Sequence, residues 1–466
     1  MKPLSLTIIS DPHYYSKKNW VDGNPYQFPP KREQQYRRGS EEIIKYVFDK
    51  ICRDNESDII LINGDLTNNG ECTSHEEMRE LLRSLKNRGK RVYVTTATHD
   101  FRSDGISYGY DKKDNKVDVP AFVRNDLYEY YYEFGMNEAL SIHMPSMSYI
   151  VQLEDGYRLL ALNDDKGYNH AGFTDECFEW IKEQVENAKK DNQFIIAMTH
   201  HPILPPSPLY KIIGAKDMLE CGELRAKQFA DMDVPCIFTG HSHIHNISLI
   251  KSEQGNVFYD VSTSSLVGFP PYYRKAAFDP DNKSIDIHSV LVDNVPNLDT
   301  DGKSLSDYIE NLFLGTVSDI LNSAENDFEK FTELAVGFSL KKEKAYKLKF
   351  FIQNGAKFIN HLTFGKVWRY TKRKNKVTAQ EIQSIKTKAV LPFVIELVAN
   401  LYKGDADMSK TSVEYRVAKA FLELADNITK PFSKKLKGLG MESVSAVALP
   451  LMNKEGIKDS DAKLKY

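Results

Sequence analysis

The chain has 466 residues, a formal net charge of −3, 41% hydrophobic and 27% charged residues. This composition is that of a globular chain with a sizeable core and excludes a disordered or low-complexity one; at roughly 150 residues per domain, the length predicts two or three domains. The small net charge hides an asymmetry, because from Thr300 onward there are about 28 Lys and Arg against 20 Asp and Glu, which leaves the first part acidic and the tail basic.

Short apolar runs and helical patterns alternate from the start. Leu6–Ile9 reads as a buried strand. Ser40 to Arg53 carries apolar residues at helical spacing, with Ser40 as the expected N-cap. Asp58–Ile62 is a second strand, His75–Leu85 a helix and Arg91–Thr95 a third strand. The rhythm predicts a partly parallel sheet covered by helices. Residues from about 102 to 145 break it; rich in Tyr, Asp and Gly, they read as an inserted loop with short helices. Tyr149–Leu153 and Arg158–Leu162 flank Asp155-Gly156, a hairpin signal. A helix from Thr174 to Lys189 follows, and then the strands Phe194–Met198 and Cys236–Thr239. Further antiparallel strands are expected up to Val292.

The polar stretch Asp293–Lys303, with Pro296 and Gly302, predicts a domain boundary. Residues 1–295 would form one domain with an insertion at about 102–145, and 296–466 an all-α domain. Its expected helices are Tyr308–Leu321, Glu329–Phe338, Lys344–Phe358, Ala379–Tyr402 and Val413–Ile428, with a frayed last dozen residues. The five cysteines are odd in number, widely spaced and without a CxxC pair, which predicts reduced thiols and a cytoplasmic location. No apolar signal segment opens the chain, and no run is long enough to span a bilayer.

Five short signals sit where apolar strands stop: Asp11-Pro12-His13, Gly64-Asp65, Thr98-His99-Asp100, His200-His201-Pro202 and Gly240-His241-Ser242-His243. Strand carboxyl ends are where open α/β sheets bind ligands. Carboxylate oxygen and neutral imidazole together suit Zn, Mn and Fe. Any one signal is weak, since a strand-end Asp is more often a helix N-cap than a ligand. Together they hold half of the twelve histidines, which caps and core packing do not explain. Bland roles suit most of the other candidates better. His75, His201 and His245 read as structural and His143 and His170 as loop residues, while Asn163-Asp164-Asp165, after a strand, reads equally as an ordinary turn or as reaching the cleft. Tyr128 to Tyr132 read as packing, and the basic run Arg369–Lys376 as a solvated face.

In this order the motifs resemble those of the calcineurin-like metallophosphoesterase superfamily, D-x-H, G-D, G-N-H-[DE], H-x-P and G-H-x-H. The stretch Gly64-Asp65-Leu66-Thr67-Asn68-Asn69-Gly70-Glu71 is similar to bacterial phosphodiesterase-like members. The resemblance covers about residues 4 to 295. It implies a four-layer α/β/β/α sandwich of two mixed sheets, with the helical tail outside that core. It also implies two metal ions (Mn, Fe or Zn). Asp11, His13 and His243 would ligate the first ion, and His200 and His241 the second. Asp65 would bridge them. His99 would act near the phosphoryl or leaving oxygen, with Asp100 orienting its ring. Thr98 stands where the pattern has an asparagine ligand, so the second site would be weaker, completed by water or metal-selective.

Two such cations about 3.5–4 Å apart would lower the pKa of a shared water, and the metal-bound hydroxide would attack phosphorus in line. The implied activity is hydrolysis of phosphodiesters, such as a cyclic nucleotide or a lipid head group, with a small phosphoester as partner. A phosphomonoesterase is the runner-up. A catalytically weakened binding protein stays open because of Thr98. Nucleic acid is the lesser partner, suggested only by the basic tail.

Overall fold

The structure, a computed structural model, describes residues 1–21, 34–165, 171–336, 342–371, 376–438 and 441–466. His170, residues 337–338 of the expected helix and residues 372–375 of the basic run lie outside them. Two compact units form: Met1–Pro206 with Lys216–Ile309 and Asp459–Tyr466, and Ser207–Ala215 with Glu310–Lys458. The division falls inside the helix Leu305–Asn326, whereas the polar signals place it near residue 295. Among the described residues no helix is long and apolar enough to cross a membrane, and all five cysteines are free.

In the first unit, β1 (Leu4–Ile9), β2 (Ile59–Asn63) and β3 (Arg91–Thr95) run parallel. A small separate hairpin follows, β4 (Ile106–Tyr110) and β5 (Lys116–Pro120). Next come β6 (Ala139–His143), β7 (Ser148–Glu154) and β8 (Tyr157–Ala161). β9 (Phe194–Met198), β10 (Cys236–Thr239), β11 (Asn246–Lys251) and β12 (Val257–Ser262) complete the second sheet. β13 (Tyr272–Asp279), β14 (Ser284–Leu291) and β15 (Asp461–Lys465) return to the first. The six-stranded sheet has the order β15-β14-β13-β1-β2-β3, and the seven-stranded sheet β11-β12-β10-β9-β8-β7-β6. Both are mixed: β8, β9, β10 and β12 are parallel, while β6, β7 and β11 pair antiparallel.

The two sheets face each other. Phe278 of β13 meets Phe194 of β9 and Phe238 of β10, with ring centroids 5.9 and 6.1 Å apart. Tyr149 of β7 donates its hydroxyl to the Val94 carbonyl of β3 at 2.8 Å. Covered on both sides, β2, β9 and β10 are almost continuous apolar runs, as parallel strands buried on both faces require. The outer face of the larger sheet carries the helices Asp175–Lys190 and Gly222–Asp231, whose Phe178, Ile181, Ala226 and Phe229 pack with Ile150, Leu160 and Ile237. The helices Ser40–Asp54 and Cys72–Asn87 bury Ile44, Val47 and Phe48, and Met78, Leu82 and Leu85; the second packs on β3. This is the expected four-layer α/β/β/α sandwich.

Three local expectations are corrected. The 102–145 segment contains the β4–β5 hairpin and supplies β6, an outer strand of the larger sheet, rather than only loops and short helices. Ser40 is the first helical residue, behind Gly39, and its hydroxyl accepts the Tyr15 backbone N–H at 3.0 Å instead of capping the helix. The end of the chain is not frayed. β15 pairs with β14, Leu464 is 1% exposed, and Asp459 accepts the Ile247 N–H at 2.7 Å.

The second unit is helical. Phe328, Phe331 and Ala345 centre one apolar cluster, and Phe364, Val367, Phe393, Val417 and Met452 another. Two helices expected to be continuous are broken. Leu348 separates Lys342–Lys347 from Lys349–Asn360, and a short 3-10 turn, Glu381–Ser384, precedes Leu391–Lys403. Pro392 explains the latter, since it fits only the first turn of a helix.

Because Leu464 is buried on the outermost strand, Leu464→Ala is expected to cost about 2–5 kcal/mol of stability in urea unfolding. A cost under about 0.5 kcal/mol, typical of surface changes, would contradict the pairing.

Candidate metal centre

Five parallel strands end at one edge of the sandwich, and the loop after each carries one of the motifs. β1 leads into Asp11 and His13, β2 into Asp65 and β3 into the 3-10 turn Thr98–Asp100. From the facing sheet, β9 leads into His200 and β10 into His241 and His243. Backbone hydrogen bonds lock these loops together. His13 N–H donates to Asp65 O at 3.0 Å, Gly240 N–H to His200 O at 2.9 Å, and Ser265 Oγ to Asp11 O at 2.8 Å.

The chain bends sharply to aim these side chains. Asp11, His13, Asp65, His241 and His243 all have left-handed backbone, with φ between 41° and 59°. That region is uncommon for residues with a Cβ and clusters at functional sites. Gly240 has a different reason to be glycine, because a Cβ there would collide with Ser10 Oγ and Asp11 Oδ2.

The side chains meet. Asp65 Oδ2 lies 3.1 Å from His200 Nε2 and 3.7 Å from His13 Nε2. Asp11 Oδ1 lies 3.4 Å from His243 Nε2 and 3.8 Å from His13 Nε2. His13 and His243 bring their Nε2 atoms within 3.1 Å, and His241 Nδ1 is 3.3 Å from His200 Nε2. Among the described residues three groups have the spacing to hold a cation: Asp11, His13 and His243; Asp11, Asp65 and His200; and His200, His201 and His241.

Most of this cluster is out of water, with His241 half-buried at its margin. Asp11, His13, Asp65 and His200 are at most 1% exposed. Burial opposes ionisation of both carboxyls, yet the imidazoles win. His243 and His200 hold Asp11 below its usual range, and His200 and His99 hold Asp65 well below it. Burial also drives His13 down to about 3 and His241 well below its ordinary value, leaving lone pairs on both rings. His200 goes the other way; against burial, Asp65 pushes it up to about 10. The donor set fits metal ions: carboxylate oxygens and imidazole nitrogens converge, and among the described residues no Lys or Arg is a close partner of the two buried carboxylates.

His99 lies beside this group, its ring 5.0 Å from that of His13. Its N–H donates to Asp65 Oδ1 at 3.0 Å, and its Nδ1 faces the Asn68 carbonyl at 2.6 Å. Asp100 therefore does not orient the His99 ring as expected. Its carboxylate accepts the Thr67 and Ala97 N–H groups at 2.9 and 2.8 Å and ties the β2 and β3 loops together. Burial and Asp65 push Asp100 up to about 7. Thr98 is exposed, and among the described residues its side chain has no hydrogen-bond partner.

His75 is structural, held by Tyr131 Oη and the Asp100 carbonyl at 2.7 and 2.8 Å. His245 contacts Ser289 Oγ at 2.8 Å, and His143 contacts Ser146. Tyr130 and Tyr131 pack around His75. His201, expected to be structural, and Asp164, open between a turn and the cleft, sit beside the centre: His201 Nδ1 lies 2.8 Å from Asp164 Oδ1. The adjacent His200-His201 pair and the strand-end position of Asp164 after β8 were the available signals.

No curated protein matches the chain. Among solved structures it is similar to a dimetal phosphatase from Danio rerio, at 13% identity and TM-score 0.44, over 61% of this chain and 95% of that one. It is also similar to the purple acid phosphatase PPD1 of yellow lupin, at 15% identity and TM-score 0.36, over 62% of this chain and 52% of that one. GAP50 of Plasmodium aligns at 12% identity and TM-score 0.32, over 62% and 84%. The family model of the calcineurin-like phosphoesterases matches residues 4–245, more than half of the sequence, and the chain belongs to that family.

Proposed function

We propose that the chain hydrolyses phosphodiesters with two metal ions, one held by Asp11, His13 and His243, the other by His200 and His241, with Asp65 shared. What supports the reading is the convergence of these six side chains from four loops at one largely buried edge. The preference for diesters draws on the resemblance of the Gly64–Glu71 stretch to phosphodiesterase-like sequences. When bound, such a pair of ions supplies Lewis acidity, neutralising phosphoryl oxygens and lowering the pKa of water.

The chain's own groups do the rest. Asp65 suits a shared position because its Oδ2 faces both His13 and His200. His99 donates Nδ1–H to the Asn68 carbonyl, which leaves Nε2 to carry a proton to the leaving oxygen. Asp100 and Asp65 position His99 through the backbone, the first by fixing the turn and the second by accepting the His99 N–H. Thr98, exposed and unbonded, takes no part beyond its place in the turn.

Chelation is expected to abolish turnover of bis(4-nitrophenyl) phosphate and added Mn²⁺ to restore it; turnover that survives chelation contradicts the metal reading, and cleavage of monoesters alone contradicts the diester assignment. His99→Ala is expected to lower kcat by about 10²–10⁴-fold while metal content stays unchanged; wild-type kcat would remove its acid role. Gly240→Ala, which forces Asp11 aside, is expected to cost about 100-fold in rate, whereas full activity would show that the position of Asp11 is immaterial.

A further inference from the structure

His201 is held in a manner that packing alone does not require. Its Nδ1 lies 2.8 Å from Asp164 Oδ1, and Asp164 also accepts the Thr199 hydroxyl at 2.8 Å and the His201 backbone N–H at 2.7 Å. An ionised carboxylate only accepts, so this contact places the ring proton on Nδ1 and leaves Nε2 with a lone pair. His200 is fixed in the same sense by another acceptor, its Nδ1 facing the Asn63 carbonyl at 2.7 Å. Two consecutive histidines are thus each anchored through Nδ1, which leaves Nε2 of both rings with a lone pair.

Their neighbours show where those lone pairs go. The His201 ring centroid is 4.1 Å from that of His241 and 5.0 Å from that of His200. One nitrogen from each of the three rings lies within 4.8 Å of the others. His75 offers the internal contrast. As a structural histidine it has both nitrogens hydrogen-bonded, to Tyr131 and to the Asp100 carbonyl. Among the described residues nothing donates to or accepts from His201 Nε2, although the side chain is buried. A ring oriented by a carboxylate on one nitrogen, with a lone pair on the other and further imidazoles beside it, is the usual arrangement of a metal-bound histidine.

We propose that His201 is itself a metal ligand, forming a three-imidazole site with His200 and His241, and that Asp164 is the residue positioning it. The inference rests on the two-ion reading above and deepens it. It makes the two sites chemically unequal. Asp11, His13 and His243 offer oxygen and nitrogen, whereas the second site is nitrogen-rich and favours zinc, iron or cobalt over manganese. It also accounts for a second site that functions without an amide at Thr98, because His201 supplies the missing donor from the opposite sheet.

The test titrates the metal-stripped full-length chain with Co²⁺, followed by calorimetry and by visible absorption. Wild type is expected to take up two equivalents. His201→Ala and the ring-preserving His201→Phe are expected to keep one equivalent at unchanged affinity and to bind the second about 10–100-fold more weakly, with loss of its absorption band. The retained equivalent reports that the variants are folded. Asp164→Asn is expected to weaken the same equivalent. Two equivalents at wild-type affinity in both His201 variants overturn the proposal and leave the two-ion reading standing. Loss of both equivalents in both variants overturns it as well, because His201 would then support the fold rather than one site. No Co²⁺ uptake by wild type overturns both readings together.

Discussion

Two carboxylates, Asp11 and Asp65, are fully withdrawn from water at the edge where the sheets meet. Burying a charge is costly unless it is compensated, and the compensation here is imidazole. In the protein alone, a proton on His200 beside Asp65 supplies part of it. Cations between Asp11, Asp65 and the rings would supply all of it, displacing that proton, as metal binding to histidine does. The loops, the sheet order and the glycines near the centre can all be read as means of holding these charges close together without water.

The architecture makes this feasible. Parallel strands place their carboxyl ends on the same side, so β1, β2 and β3 from one sheet and β9 and β10 from the other deliver loops to a single edge. Each loop must then turn its side chains inward within two to four residues of the strand end. Five left-handed residues and the close approach at Gly240 are the local consequence. Strain of this kind persists only where surrounding contacts over-determine it. Here those contacts are the backbone bridges between loops and the Asp100 carboxylate that ties Thr67 to Ala97.

The centre was largely legible in the sequence because its residues follow apolar runs at once, so strand ends and ligand candidates announce each other. The sandwich was legible through the βαβ rhythm and the resemblance. What stayed hidden depends on contacts distant along the chain. β15 has only two apolar residues, Ala462 and Leu464, and becomes a strand by pairing with β14, more than 170 positions earlier. Ser40 carries a sound N-cap signal, but the Tyr15 N–H captures its hydroxyl. Asp100 was matched to the nearest ring when its real partners are backbone groups of two loops. Asp164 stayed open between turn chemistry and the cleft because nothing local reveals its bond to His201.

The most direct measurement is anomalous diffraction from a crystal soaked with Co²⁺ and inorganic phosphate. The account predicts two peaks about 3.5–4 Å apart, with Asp65 between them, Asp11, His13 and His243 around one, and His200 and His241 around the other. Peaks away from these residues, or no ordered ion at this edge, would contradict it.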